Sequence, residues 1–529
     1  MKNHRSLTAA SSAMHPYPAK PRRFSSLPIP LLATSMTRLF LSIVFAFSIV
    51  YTTAPAQETL QVGTTLELAG MFKDHMVFQR ECDAAIWGTT SPGSAVTVTP
   101  SWTKERFLAK ADGDGNWRTT IKTPTAGGPF KVDVKSGSET KQLSDVLVGE
   151  VWICSGQSNM QWKLRGFGVD HFKEDVQKAK YPRIRFCDVP QVLALEGQDQ
   201  VKAKWTVCSP QSALAFSAVG YFFGSRLHQE LDVPIGLIST NWGGSSAEAW
   251  VSSEVLKKDF PEFNEQYATN QKIADTKGKL FSRGKKPPKG LNQRNPSVLY
   301  NSMIRPLIPF SFRGVVWYQG ESNVKQPKQY QTLFPAMIRD WRNRWGQGDF
   351  PFYFVQIAPF AYKSEPISAA FLREAQTMAL SEPNTAMVVT LDIGNPTNIH
   401  PKQKKPVGQR LALLALKHDY GQSSLVASGP MYTGHRIQKG NIRLLFEDVG
   451  GGLASRDGEP LSHFTIAGAD QKFVQASAQI EGDVIIVSSD SVADPVAVRF
   501  AWGSGDTPNL SNKDGLPVSS FRTDDWPIQ

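Results

Sequence analysis

The chain has 529 residues, 41% of them hydrophobic and 20% charged. At roughly 150 residues per domain this length predicts two to four domains. The composition, with 41 Gly and 35 Pro, excludes a collagen, a coiled coil or a mostly disordered chain. Lys and Arg outnumber Asp and Glu by 58 to 47, a net charge of +11, which would suit a nucleic-acid partner only if it were clustered.

Much of that excess lies in the first 56 residues, which carry Lys2, Arg5, Lys20, Arg22, Arg23 and Arg38 and no acid. From Met36 the text reads MTRLFLSIVFAFSIVYTTAPAQ. Arg38, an apolar run over 39–50 and the small-x-small triplet Ala54-Pro55-Ala56 form the three regions of a secretory signal. The run is shorter than the about twenty residues a bilayer crossing needs. Residues 1–56 are therefore expected to be a leader and signal peptide, and the protein to be exported, periplasmic or extracellular, with no stable membrane partner. The remainder has 52 basic and 47 acidic residues, so a nucleic-acid partner is not expected. A further basic stretch, 272–294, is interrupted by three glycines and Pro287-Pro288 and reads as a solvated loop, part of an insertion over 267–295.

Residues 57–145 have the texture of an antiparallel β domain. Period-two alternation appears at 95–99 (AVTVT) and 130–134 (FKVDV), with Gly- and Pro-rich turns between. From 146 to about 420 the pattern changes. Short apolar strands at 146–154, 235–238, 315–317, 352–357 and 387–391 alternate with amphipathic stretches at 217–231, 330–341, 371–380 and 407–417. Such alternation predicts an α/β domain with a parallel sheet covered on both faces. Residues 421–529 return to β texture, either as a separate sandwich or packed on the first. The four cysteines, Cys82, Cys154, Cys187 and Cys208, form no CxxC, so no thiolate metal site is expected. Cys187 with Cys208 is the expected disulfide of an exported chain, and Cys154 reads as a small buried hydrophobe.

Ligands of open parallel sheets bind beyond the carboxyl ends of the strands, and four such ends carry unusual polar residues. Ser155-Gly156-Gln157-Ser158-Asn159 places Ser158 at a sharp strand-to-helix turn, where helix N–H groups favour negative charge. Taken alone, an N-cap serine explains it as well. Asn241-Trp242-Gly243-Gly244 offers close backbone approach and free N–H groups. Trp317-Tyr318-Gln319-Gly320-Glu321-Ser322-Asn323 carries amides and a carboxylate after a buried strand, where polar side chains demand partners. Asp392 ends another strand, and His400 follows in the turn Ile399-His400-Pro401. A serine nucleophile, a histidine base and an aspartate to orient it satisfy the needs of acyl transfer, so a serine esterase or amidase is expected.

These motifs also resemble the sialate O-acetylesterase family, within the wider SGNH (GDSL-like) hydrolase group. The resemblance runs through DHMVFQR (74–80), GEVWICSGQSNM (149–160), LYNSMIRP (299–306), WYQGESN (317–323), IHP (399–401), DPVAVRFAW (494–502) and GLPVSSFRTDDW (515–526). It implies a flavodoxin-like catalytic domain flanked by β-sandwich-like regions, and removal of O-acetyl groups from sialic acid or related sugars without metal or organic cofactor. Acetylated plant polysaccharide is the alternative substrate. A non-catalytic carbohydrate-binding protein is the alternative of another class.

Carried over by position, Ser158 is the nucleophile and His400 the base. The oxyanion donors are the Ser158 N–H, Gly243 or Gly244, and an amide from the third segment. The position where the wider group has asparagine is Ser322, so Gln319 or Asn323 is expected to serve. The group's usual aspartate position is Thr397, which leaves Asp392 as the acid or a Ser–His dyad. Trp162, Trp242 and Tyr318 are candidates for stacking on a sugar, with Glu321 and Arg410 as polar contacts.

Overall fold

A computed structural model describes residues 65–527 except 169–170, 283, 285 and 364–366. The expected leader therefore lies outside the described residues. The first strands are β1 (Glu67–Leu68), β2 (Val77–Gln79), β3 (Asp83–Thr89), β4 (Ala95–Pro100), β5 (Phe107–Lys110), β6 (Asn116–Lys122), β7 (Gly127–Ser136) and β8 (Glu139–Gly156). In β4 the alternation of Val and Thr becomes an alternation of buried and half-buried positions. Strands β1, β3 and β6 form one antiparallel sheet, and β4, β5 and β7 join β8 in another. Ile86, Trp117 and Ile121 from the first share a core with Val96, Val98, Val132 and Val134 from the second.

Strand β8 is the structural surprise, because it runs straight through the change of texture at 145–146. Its first half pairs antiparallel with β7, from Glu139 opposite Ser136 to Val148 opposite Gly127. Its second half enters the parallel sheet, with Glu150 opposite Ile235. Every residue from Val146 to Gly156 is buried, as a strand covered on both faces requires.

Beyond β8 the described order is α1 (Ser158–Gln161), α2 (Lys173–Gln177), β9 (Ile184–Asp188), β10 (Val192–Ala194), β11 (Lys204–Val207), α3 (Pro210–Leu214), α4 (Ala218–Leu231) and β12 (Ile235–Asn241). Then come α5 (Ser253–Asp259), α6 (Asn264–Lys277), β13 (Leu280–Ser282), β14 (Gly314–Tyr318), α7 (Pro327–Trp345), β15 (Phe352–Val355), α8 (Ser368–Met378), β16 (Thr385–Val388) and α9 (Lys404–His418). The central sheet has the order β11-β9-β12-β8-β14-β15-β16. All its pairings are parallel except that of β11 with β9.

Two expectations need correction. The segment over 267–295 is not all loop. Helix α6 has neither Pro nor Gly and continues to Lys277, ending where Gly278 turns at φ 92° and donates its N–H back to Ala274. Secondly, Cys187 and Cys208 form no disulfide, and all four cysteines are free thiols. The β9–β11 pairing sets Cys187 opposite Trp205, while the Cys208 N–H bonds to Ile184 at the far end of β9. Of the two arrangements open for residues 421–529, strand pairing with the N-terminal β region is not seen among the described residues. The C-terminal β region instead grips α8. Arg373, fully buried, donates to the carbonyls of Ala501 and Gly503 and to Ser520 Oγ.

One buried carboxylate joins several of these parts. Glu150 accepts from Arg80 (2.5 Å), Gln79 (3.1 Å), Arg313 (3.0 Å) and the Tyr420 hydroxyl (2.9 Å). Burial by itself raises this carboxyl, but Arg313 and Arg80 outweigh it and hold the group below the ordinary glutamate range. Removing one partner from a buried charge cluster leaves the other charges uncompensated. Glu150→Ala is therefore expected to destabilise the fold by about 3–5 kcal/mol in denaturant titration. A loss below about 1 kcal/mol, typical of a solvent-exposed pair, would count against this role.

Candidate active site

The sheet order places its switch point at β8. The chain leaves β8, builds β9 and β12 on one side, and returns to place β14 on the other, so the crevice beyond their carboxyl ends is where such sheets bind ligands. Asn241, Gly156 and Tyr318 end the three strands in register. Gly156 sits at φ 133°, and a Cβ there would lie 2.2 Å from the Tyr318 carbonyl oxygen, so only glycine permits the turn. The Gln157 N–H then bonds to that carbonyl (2.9 Å) and the Trp242 N–H to the Gly156 carbonyl (3.0 Å).

Ser158 opens α1 and is half-buried. Its neighbour across the crevice is Gly243. A Cβ on Gly243 would stand 3.4 Å from Ser158 Cβ and 2.8 Å from Gln161 Oε1, so this backbone reaches the serine because it has no side chain. The Gly243 N–H donates to Gln161 Oε1 (2.7 Å). Gly244 turns at φ 72°, and its carbonyl accepts from Arg294 (3.0 Å).

The loop bearing His400 follows β16, at the far edge of the sheet, and must return across it. Asn159 supplies the tie. This fully buried amide donates to the Ile399 carbonyl (3.1 Å) and to Glu321 (2.5 Å), and its oxygen accepts from Lys404 Nζ. The residue after Ser158 is thus bonded to the residue before His400. His400 is half-buried, its ring 5.1 Å from that of Trp162 at 45°. Its backbone N–H donates to Asn398 Oδ1 (2.9 Å).

The electrostatics beneath the histidine are unusual. Burial drives the Lys404 ammonium down to about 7, against the raising effect of Glu321. Burial likewise raises Glu321, despite its hydrogen bond from Asn159 and the nearby lysine. Burial, reinforced by the charge of Lys404, holds His400 below its ordinary range, which favours the neutral imidazole.

Several residues marked by the sequence are committed elsewhere. Asp392, 7% exposed, accepts from Arg410 on both oxygens (2.8 and 2.5 Å), and no hydrogen bond among the described residues joins it to His400. Arg410 also donates to the Val389 carbonyl (2.9 Å). This pair therefore braces the end of β16, and neither member meets its expected role at the crevice. Gln319 is fully buried, bonded to Asn323 (2.7 Å), the Ser245 carbonyl (3.3 Å) and Tyr330 (3.0 Å). Asn323 also accepts from the Ala247 N–H (3.0 Å) and donates to Glu248 (3.0 Å). Both Gln319 amide hydrogens are thus committed, which leaves it no donor for an oxyanion, while Asn323 spends one of its two on Glu248 and is almost wholly buried behind the third segment. Tyr318 is fully buried with Lys404 over its ring, and Glu321 is buried against Asn159, so neither can touch a sugar. Trp162 and Trp242 remain half-buried.

Sequence reasoning missed Asn159 and Lys404. Asn159 stands inside the GQSNM motif, but Lys404 sits in the run KQKK, which reads as a solvated surface. Among the described residues no group of three His, Cys, Asp or Glu is placed to hold a metal ion.

These contacts separate two variants. Asn159→Ala frees the His400 loop from the Ser158 turn, and a misplacement of about 1 Å can cost about 10²-fold in kcat. Asp392→Asn is expected to lower the melting temperature while costing kcat less than about tenfold, far below the about 10⁴-fold of a lost triad aspartate. Steady-state acetate release and thermal melts on both variants check this. A larger kcat loss in Asp392→Asn than in Asn159→Ala would reverse the assignment.

Comparison with known proteins identifies the family. Residues 148–417 match the family described as carbohydrate esterase, sialic acid-specific acetylesterase. The mouse sialate O-acetylesterase is 32% identical over 420 residues, covering 71% of this chain and 77% of the mouse protein. The human protein of the same name is 33% identical over 406 residues, covering 70% and 74% respectively. A crystal structure of a carbohydrate acetylesterase from Xanthomonas citri superposes with a TM-score of 0.77 at 38% identity, covering 87% of this chain and all of that one. With a catalytic-domain match over half its length and relatives this similar across most of theirs, the chain belongs to the sialic acid-specific acetylesterase family of carbohydrate esterases.

Proposed function

We propose that this esterase removes O-acetyl groups from sialic acid or a closely related sugar, with Ser158 as nucleophile and His400 as general base. The observation that carries the assignment is the Asn159 amide, which bonds the carbonyl beside His400 from the position beside Ser158. His400 takes the Ser158 proton as Oγ attacks the acetyl carbonyl. The tetrahedral oxyanion is held by the N–H groups of Ser158 and Gly243, each worth about 3 kcal/mol in such sites. Collapse expels the sugar alkoxide, which takes the proton back from His400. Water, activated by the same imidazole, then releases acetate from the acetyl-serine. With Asp392 held by Arg410, the imidazole works as a dyad member, oriented by the Trp162 ring and the Asn398 turn.

A second substrate reading, an O-acetylated polysaccharide, draws support from the Xanthomonas citri relative, which carries the broader description and aligns along its whole length. Export is part of the proposal, supported by the signal-like text over 36–57. Among the described residues no helix is long and apolar enough to cross a membrane.

Two measurements test the reading. Ser158→Ala and His400→Ala should each lose at least about 10³-fold in acetate release from O-acetylated sialic acids and acetylated xylan. Retained activity in both would remove the mechanism. Because His400 titrates below its usual value, about 6.5, the acid limb of kcat/KM should fall below that pH. In the Lys404→Met/Glu321→Gln double variant the buried charge is gone, and the limb should move up. A limb that stays in place would show that another group titrates.

A further inference from the structure

A cavity of about 220 Å³ opens beside the Ser158 crevice, walled by Gln161, Lys163, Asp188, Gln191, Ser239 and Asn241. Its floor is already organised. Gln191 donates to the Asn241 carbonyl (2.7 Å), and the Asn241 amide donates to Ser239 Oγ (3.0 Å). The rim is not. There the exposed Asp188 carboxylate and the half-buried Lys163 ammonium face one cavity, near enough for the lysine's charge to act on the carboxylate, and neither accepts or donates a hydrogen bond among the described residues; Gln161 Nε2 likewise donates none. A carboxylate, an ammonium and an amide N–H converging on one small cavity offer a polar ligand both acceptor and donors.

The same Gln161 holds the reaction's machinery. Its Oε1 accepts the Gly243 N–H at 2.7 Å, and that N–H cannot donate to an oxyanion while it is so engaged. One side chain therefore lines the cavity with its amide nitrogen and occupies the oxyanion donor with its amide oxygen.

We infer that this cavity is the subsite for the sugar ring of the leaving alcohol, and that filling it draws Gln161 away from Gly243 and so opens the oxyanion site. The inference rests on the esterase reading of Ser158. Asp188 accepts from ring hydroxyls, Lys163 and Gln161 Nε2 donate to ring oxygens, and a hydroxyl-rich pyranose supplies both kinds of partner. A simple anion would be met by Lys163 and opposed by Asp188, and a simple cation the reverse. Because sugar binding and oxyanion binding share one side chain, they are coupled, and the coupling is reciprocal. An acetyl ester lacking a sugar must displace Gln161 unaided.

The test is the ratio of kcat/KM for an acetylated sugar to that for p-nitrophenyl acetate, which carries no sugar. It is measured with 9-O-acetyl-N-acetylneuraminate and, separately, with 6-O-acetylglucose. In Asp188→Asn and in Gln161→Leu the ratio should fall at least tenfold, and Gln161→Leu should in addition raise kcat on p-nitrophenyl acetate. Lys163→Met should lower the ratio for both sugars if it meets hydroxyls, and for the neuraminate alone if it meets a carboxylate; either pattern supports the subsite. Saturation-transfer NMR with free N-acetylneuraminate and glucose on Ser158→Ala should give sugar signals that vanish when Asp188→Asn is added. Ratios and NMR signals unchanged in folded Asp188→Asn and Gln161→Leu proteins overturn the inference. Activity surviving in Ser158→Ala would overturn the esterase reading instead, so the two failures are distinct.

Discussion

The molecule is organised around a single strand that belongs to two sheets, and around the carboxylate buried in the middle of it. Strand β8 begins in the antiparallel N-terminal sheet and ends at the turn that carries Ser158. Midway, Glu150 gathers side chains from β2, from the loop before β14 and from the chain after α9. A charge so deeply buried is tolerable only with its hydrogen bonds complete. The N-terminal sheet is therefore attached to the catalytic sheet by continuous backbone and by this cluster, which sets the strand end where Ser158 begins.

From that end the active site is assembled through close approaches of backbone. Gly156 lets the turn lie against the Tyr318 carbonyl, and Gly243 lets the second loop reach the serine. The third segment contributes a buried amide network behind them, Gln319 and Asn323 bonded to one another. The fourth loop comes from an edge strand and is brought in by Asn159. Each piece meets the serine through a different physical device, and those devices act within a few residues of one another.

The electrostatic character of the site follows from what lies under it. A lysine and a glutamate, both buried and both displaced toward their neutral forms, share the Asn159 amide. Their burial keeps the positive charge close enough to disfavour the imidazolium of His400. That arrangement suits the role proposed for His400, because the neutral imidazole is the form that accepts a proton.

What could be read from the sequence alone were features set by local repetition and local backbone demand. Continuous apolar runs marked β12, β14 and β15 because a strand covered on both faces needs them. The amphipathic stretches marked α4, α7, α8 and α9, and the polar text after each apolar run marked the strand ends. What only the tertiary structure decided was the choice of partners. Asp392 could be placed near the end of β16 by pattern, yet its pairing with Arg410 depends on α9 folding back beside it. Lys404 looked like surface because it lies in the lysine-rich run KQKK, and it is buried because Asn159 and Glu321 wait on the other side of the fold. The boundary at 145–146 dissolved for the same reason: composition changes there, but hydrogen bonding carries one strand across it. Hydrophobic period and turn chemistry act over a few residues and are written in order along the chain. The partner of a charged or polar side chain is chosen across 18, 162 or 245 positions, where only packing and desolvation determine which groups meet.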